Sequence, residues 1–171
     1  ERYARHGNDE GRMRRNRWVA VVGLVLAACS PGPRSDERAD AQALPEAPPV
    51  TMVASPTCGC CAAWAHHMRR AGFPVTVRHV SEAELQAEKD RAGVPRGLRS
   101  CHTARVGGYV LEGHVPAEMV AALLARRPAV RGLAVPGMPM GSPGMEGPRS
   151  DPYEVISFDS AGRSVVVARY P

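Results

Sequence analysis

A chain of 171 residues with a formal net charge of +5 has room for one domain plus extensions. Aromatic residues make up only 5% of it against 17 glycines and 16 prolines, so the core is small and the loops are long. Arg2, Arg5, Arg12, Arg14, Arg15 and Arg17 all precede the first apolar run, and later basic and acidic residues nearly balance without a basic stripe or interleaved aromatics, so a nucleic-acid partner finds no support.

Arg14, Arg15 and Arg17 followed by the apolar stretch 18–28 have the layout of a signal peptide, too short for the roughly 20 residues a membrane-spanning helix needs. The stretch ends Leu26-Ala27-Ala28-Cys29, which resembles a bacterial lipobox and makes Cys29 the expected site of lipidation. Met13 is the expected initiator, and residues 1–12 are expected upstream read-through. Ser30 in place of an aspartate after Cys29 favours the outer membrane, so the protein is expected to be exported and lipid-anchored, facing the periplasm. Three regions follow: 1–29, upstream residues plus signal peptide; 30–49, a flexible proline-rich tether; and 50–171, the folded domain.

Within that domain residues 50–54 read as a buried strand, broken by Ser55-Pro56-Thr57 immediately before Cys58-Gly59-Cys60-Cys61. Residues 60–71, with Ala62, Ala63, Trp64, His67 and Met68, read as a helix stopped by Gly72, which puts the cysteines at a helix N-terminus and leaves Trp64 to pack against the sheet. Residues 73–80 alternate as a strand, and 82–91 form a polar helix opened by the capping box Ser81-Glu82-Ala83-Glu84. Residues 103–106 and 109–112 form a hairpin about Gly107-Gly108, and 116–126 form a helix. Residues 130–151 are a long Gly/Pro/Met-rich loop, and 154–158 with 164–169 form a closing hairpin. The order predicts a mixed α/β chain with a thioredoxin-like fold: a mixed four-stranded sheet flanked by helices, followed by the loop and a C-terminal β-hairpin.

Cys58 and Cys61 have C-x-x-C spacing, and at a helix N-terminus this is the geometry of a thiol–disulfide pair. Cys60 adds a third thiol, and the loop carrying Cys101-His102 is expected beside the same helix, so sulfurs from two distant segments converge. Soft thiolates select Cu(I), zinc or iron–sulfur clusters. Met138 and Met140, in a loop whose Gly/Pro flanks favour exposure, tilt that choice to Cu(I), although the same methionines could instead fill gaps in the sheet. Two structural disulfides among the four cysteines are the plain alternative. His66, His67, His79 and His114 read as scattered surface or core groups, and only His102 gains from its neighbour. Glu112 and Glu118 read as solvated surface carboxylates without hydrolase chemistry.

Ser55-Pro56-Thr57-Cys58-Gly59-Cys60-Cys61, Ser100-Cys101-His102-Thr103, Glu112-Gly113-His114-Val115-Pro116 and Gly132-Leu133-Ala134-Val135-Pro136-Gly137-Met138-Pro139 together resemble the domain of unknown function 411 family, which includes CopG-type copper-resistance proteins of the bacterial envelope. The resemblance implies a thioredoxin-like fold, cysteine-bridged copper with Cys58, Cys60, Cys61 and Cys101 as ligands, and a role in copper redox conversion. His102, Met138 and Met140 are secondary candidate ligands. The functions to be separated are therefore copper binding with or without Cu(I)/Cu(II) interconversion, thiol–disulfide exchange by Cys58 and Cys61, and delivery of copper to an envelope efflux or redox partner.

Overall fold

The computed structural model describes residues 47–171. The expected signal peptide with Met13, the lipidation site Cys29 and most of the tether lie outside the described residues. The order of elements is β1 (Val50–Ala54), α1 (Gly59–Arg70), β2 (Val75–His79), α2 (Glu82–Ala92), a 3-10 turn (Arg96–Leu98), β3 (His102–Val106), β4 (Tyr109–Glu112), α3 (Ala117–Arg126), β5 (Gly132–Ala134), β6 (Tyr153–Phe158) and β7 (Ser164–Tyr170).

One mixed sheet flanked by helices joins every strand, in the order β2-β1-β3-β4-β5-β6-β7. The pairs β1/β2 and β4/β5 are parallel and the others antiparallel. The class is the expected one, but the sheet has seven strands rather than four, because β5 ties the closing hairpin to the rest. That strand is three residues long and begins with glycine, so it carries no alternating pattern. Its glycine has a packing reason: a Cβ on Gly132 would collide with the backbone of Val110, its partner on β4.

The core lies between α1, α3 and the sheet, where Val50, Met52 and Ala54 of β1 meet Trp64, Met68, Ala104, Leu111, Val120 and Leu123. The buried stripe of α1 is Cys61, Trp64, Ala65 and Met68, at i, i+3, i+4 and i+7, whereas Ala62 and Ala63 face outward. Trp64 packs as expected, and its Nε1 donates to the Val115 carbonyl at 2.9 Å. The stripe fixes the rotation of the helix, turning Cys61 into the core while Cys58 and Cys60 stay at its rim, half-buried.

Helix α2 begins at the expected capping box, with Ser81 Oγ accepting from Glu84 N and the Glu84 carboxylate accepting from Ser81 N. It ends at Gly93 in the left-handed conformation. Its sequence hides one inward-facing charge: Lys89 is fully buried and donates to Glu112 Oε1 at 2.6 Å. This corrects the reading of Glu112 as a solvated carboxylate. Placing β4 in the interior of the sheet leaves that carboxylate no route to water, so it is paired instead.

Candidate metal centre

The sheet register brings the cysteine segments together. Ala54, the last residue of β1, pairs with His102, the first of β3, so the turn leading into α1 and the loop ending at Cys101 lie at one end of adjacent antiparallel strands. Cys58 is the N-cap of α1, with no side-chain cap bond, and Cys60 and Cys61 occupy its first turn. The first turn of a helix leaves N–H groups without intrahelical partners, and their dipoles favour negative charge on nearby sulfur.

The sulfurs of Cys58, Cys60, Cys61 and Cys101 all lie within 4.8 Å of one another. Cys60 Sγ is 3.5 Å from Cys58 Sγ and 3.9 Å from Cys101 Sγ. Cys58 and Cys61 are joined as a disulfide, with Cα atoms 5.3 Å apart, while Cys60 and Cys101 are free. Thus the C-x-x-C pair is closed and two thiols stand beside it. Burial and the neighbouring Cys60 sulfur push the Cys101 thiol up to about 12. At neutral pH it therefore keeps its proton until a cation displaces it.

A second convergence uses the same sulfur, since Cys101, His102 and His114 also place their ligand atoms within 4.8 Å of one another. His102 Nδ1 is 3.3 Å and His114 Nε2 3.0 Å from Cys101 Sγ. His114 Nδ1 lies 2.7 Å from the Pro143 carbonyl. A carbonyl only accepts, so Nδ1 carries the proton and the Nε2 lone pair faces the sulfur. Burial holds both imidazoles below their ordinary range, helped for His102 by His114 and Lys89, and countered for His114 by the Pro143 carbonyl and Glu146. Both rings are neutral at neutral pH and able to ligate. His102 Nε2 is buried with no hydrogen-bond partner, and the ring packs against Trp64 at 4.5 Å between centroids.

His114 is the residue that reading the sequence misses. Its signal was the hairpin: continuing the register Thr103↔Glu112 by two residues sets Cys101 opposite His114. Among the described residues, the other histidines do not join the cluster. His66 and His79 are exposed, and His67 accepts from Ala117 N at 3.2 Å, capping α3.

The Gly/Pro/Met loop is ordered by turn hydrogen bonds, Gly141 N to Met145 O and Met145 N to Ser142 O, and by Asp151 N to Met140 O. It reaches the cysteine helix through Gly144, which abuts Cys60 O and Trp64 N, and it reaches His114 through the Pro143 carbonyl. Met138 is 52% exposed, as the flanking glycine and proline suggest. Met140 is half-buried, with its methyl group against Gly147.

The family of proteins of unknown function DUF411 matches at residues 98–145, the segment running from the Cys101 loop through His114 to Met145. Two solved structures named copper resistance protein copG are similar to the chain. Form 1 is 42% identical, covering 74% of this chain and 99% of its own, with a TM-score of 0.68. Form 2 is 45% identical, covering 74% of this chain and 100% of its own, with the same TM-score. No curated protein matches. With identity this high over essentially the whole length of both copG structures, and the family match falling on the half of the centre that carries Cys101 and His114, the chain belongs to the DUF411/CopG-type family.

Proposed function

We propose that this protein binds copper in the cell envelope as part of copper resistance, holding Cu(I) on the thiolates of Cys58, Cys60, Cys61 and Cys101, with His114 and His102 as nitrogen donors beside Cys101. The observation that carries the reading is the convergence of four sulfurs within 4.8 Å from two segments, in a chain similar to copper resistance protein copG. A donor set of thiolates and neutral imidazoles suits Cu(I); zinc and iron–sulfur clusters compete for the same sulfurs and hard cations do not. The β1–α1–β2 and β3–β4–α3 arrangement, with the cysteines at the start of α1, supports describing the domain as thioredoxin-like. Met138 and Met140 serve, in this reading, as softer outer contacts for incoming copper.

Loading the anaerobically reduced protein with Cu(I), followed by metal analysis and X-ray absorption, tests the proposal. Stoichiometric copper in a sulfur-dominated shell is expected, with loss of metal in Cys60→Ser. Absence of stoichiometric copper would overturn it, and undiminished copper in Cys60→Ser would remove Cys60 from the site. Anchoring through Cys29 on the periplasmic face of the outer membrane belongs to the same proposal, and there the copper would pass to an efflux or redox partner. A Cys29→Ala chain should leave the membrane fraction.

One observation favours a second reading. The closed Cys58–Cys61 disulfide is the state that the oxidised form of a thiol–disulfide oxidoreductase would have. Opening it takes two electrons and two protons, which a substrate dithiol supplies by becoming a disulfide. Two Cu(I) ions would supply the same two electrons by becoming Cu(II), with the two protons drawn from water, and this is the form in which copper redox conversion would use the pair. Turnover in an insulin-reduction assay supports the dithiol route; turnover with copper alone supports the other.

A further inference from the structure

Lys89 and Glu112 are both fully buried, with 0% side-chain exposure and 2.6 Å between Nζ and Oε1. A buried ion pair adds little to stability, because removing two charges from water cancels most of their attraction. Its purpose lies in what else it touches. Glu112 Oε1 also accepts from Ser100 N at 2.7 Å, and Oε2 accepts from Thr103 Oγ1 at 2.6 Å. Thr103 Oγ1 in turn accepts from Lys89 Nζ at 3.1 Å. Beside Lys89, the two other partners of Glu112 thus bracket Cys101-His102 on both sides, one backbone amide before and one hydroxyl after.

The same helix grips the residue before them. Arg99 donates to Gln86 Oε1 at 2.9 Å and pairs with Asp90, both on α2. On the opposite side Ser100 Oγ bonds the Gly137 carbonyl, and Ser100 packs against Gly113, where a Cβ would lie 2.5 Å from the serine side chain. Cys101 is therefore the free tip of a segment pinned at positions 99, 100 and 103. Its Sγ faces Cys60 Sγ at 3.9 Å and His114 Nε2 at 3.0 Å.

We infer that the buried Lys89–Glu112 pair positions the Cys101 thiol, holding it within reach of Cys60 and His114 so that the two halves of the centre stay assembled before any metal arrives. Neither residue touches the sulfurs, so both are positioning residues. The inference gives a reason for a buried lysine on an otherwise polar helix. It deepens the copper-binding proposal and rests on it only for the identity of the metal, since the geometry it explains is that of the chain's own residues.

The test uses the full chain with the Cys58–Cys61 disulfide closed and no metal. Dibromobimane bridges two thiols a few ångströms apart, and peptide mass spectrometry identifies the Cys60–Cys101 bridge. In Glu112→Gln, and in the paired Lys89→Met/Glu112→Leu variant that leaves no unpaired charge, bridging is expected to slow by about tenfold, the size of effect typical of groups that orient ligands. Over the same interval Cys101 should react faster with a monofunctional reagent as its segment loosens. Reclosure of Cys58–Cys61 after reduction serves as the internal control on α1 and should be unchanged. If either variant folds, as judged by circular dichroism, and bridges Cys60 to Cys101 at the wild-type rate, the pair is merely structural and the inference is overturned. Because the probe contains no copper, that result would leave the metal proposal standing, and a failure to bind copper would leave this result readable.

Discussion

Gly144 lets the loop after β5 descend onto α1 more closely than any side chain permits. Its φ is +87°, and a Cβ there would lie 2.7 Å from Trp64 N and 2.9 Å from Cys60 O. Both are backbone atoms of the helix that carries the cysteines, so neither can swing aside. Gly144→Ala therefore combines backbone strain with overpacking and should cost about 1–3 kcal/mol, measurable as a lower urea midpoint. The adjacent Pro143 carbonyl sets the tautomer of His114, so lifting the loop should also change the nitrogen chemical shifts of that ring. An unchanged midpoint together with an unchanged His114 spectrum would mean that the loop does not rest on α1 in solution. Single residues also decided what the sequence could disclose. Cys58, Cys60, Cys61 and Cys101 announce themselves by spacing and type, because few other arrangements need three thiols in four positions. His114 does not, since only the register of a hairpin joins it to Cys101. Glu112 misleads because nothing local reveals that β4 lies between two other strands.

At the scale of elements, α2 is held at its start by the capping box and along its exposed face by charge pairs. Replacing Ser81 by alanine removes the acceptor for Glu84 N and should lower stability by about 1 kcal/mol. The hydrogen bonds from Ser81 hold the Glu84 carboxyl below its ordinary value of 4.5. For Glu88 burial acts upward, but hydrogen bonds from Arg105 and Arg91 outweigh it and the carboxyl is again lowered from 4.5. A carboxyl with a depressed folded value contributes stability that is fully present above its unfolded value and is lost as pH falls through the folded value. Denaturation midpoints measured downward from about pH 6 should therefore fall below pH 4.5 in the wild type and fall less in Glu84→Gln/Glu88→Gln. Glu112 is raised by burial and acts in the opposite sense, but it is common to both proteins and cancels in their difference. Parallel wild-type and variant curves would show that these pairs are too solvated to contribute. The capping box was legible in advance, as were β1, the β3–β4 hairpin, α3 and the closing hairpin, because each carries its own turn or cap residues. Strand β5 was not: Gly132 is required by the backbone of Val110, and a glycine demanded by a partner strand looks like any loop glycine until the partner is known.

For the molecule as a whole, the proposed copper site and the Cys58–Cys61 disulfide draw on one set of sulfurs, so under that proposal the two states exclude each other. With Cys58 and Cys61 joined, only Cys60 and Cys101, with the nearby imidazoles, retain ligand capacity. Opening the bond would free all four sulfurs, which converge within 4.8 Å of one another, for a metal. Two-electron reduction should therefore switch the protein from a weak to a strong copper site, and copper should in turn protect the dithiol from reoxidation. The continuous sheet carries both cysteine segments at one end of adjacent strands. Competition against a chromophoric Cu(I) chelator should show the reduced protein binding at least about tenfold more tightly than the oxidised one, since two deprotonated thiolates are added to the donor set. Because ligand binding stabilises the folded state, the Tm of the reduced protein should also rise on Cu(I) addition by more than that of the oxidised protein. Equal affinities in the two redox states would mean that Cys60, Cys101 and the histidines hold the metal unaided. The C-x-x-C pair would then be a separate thiol–disulfide device that happens to share a helix N-terminus with them.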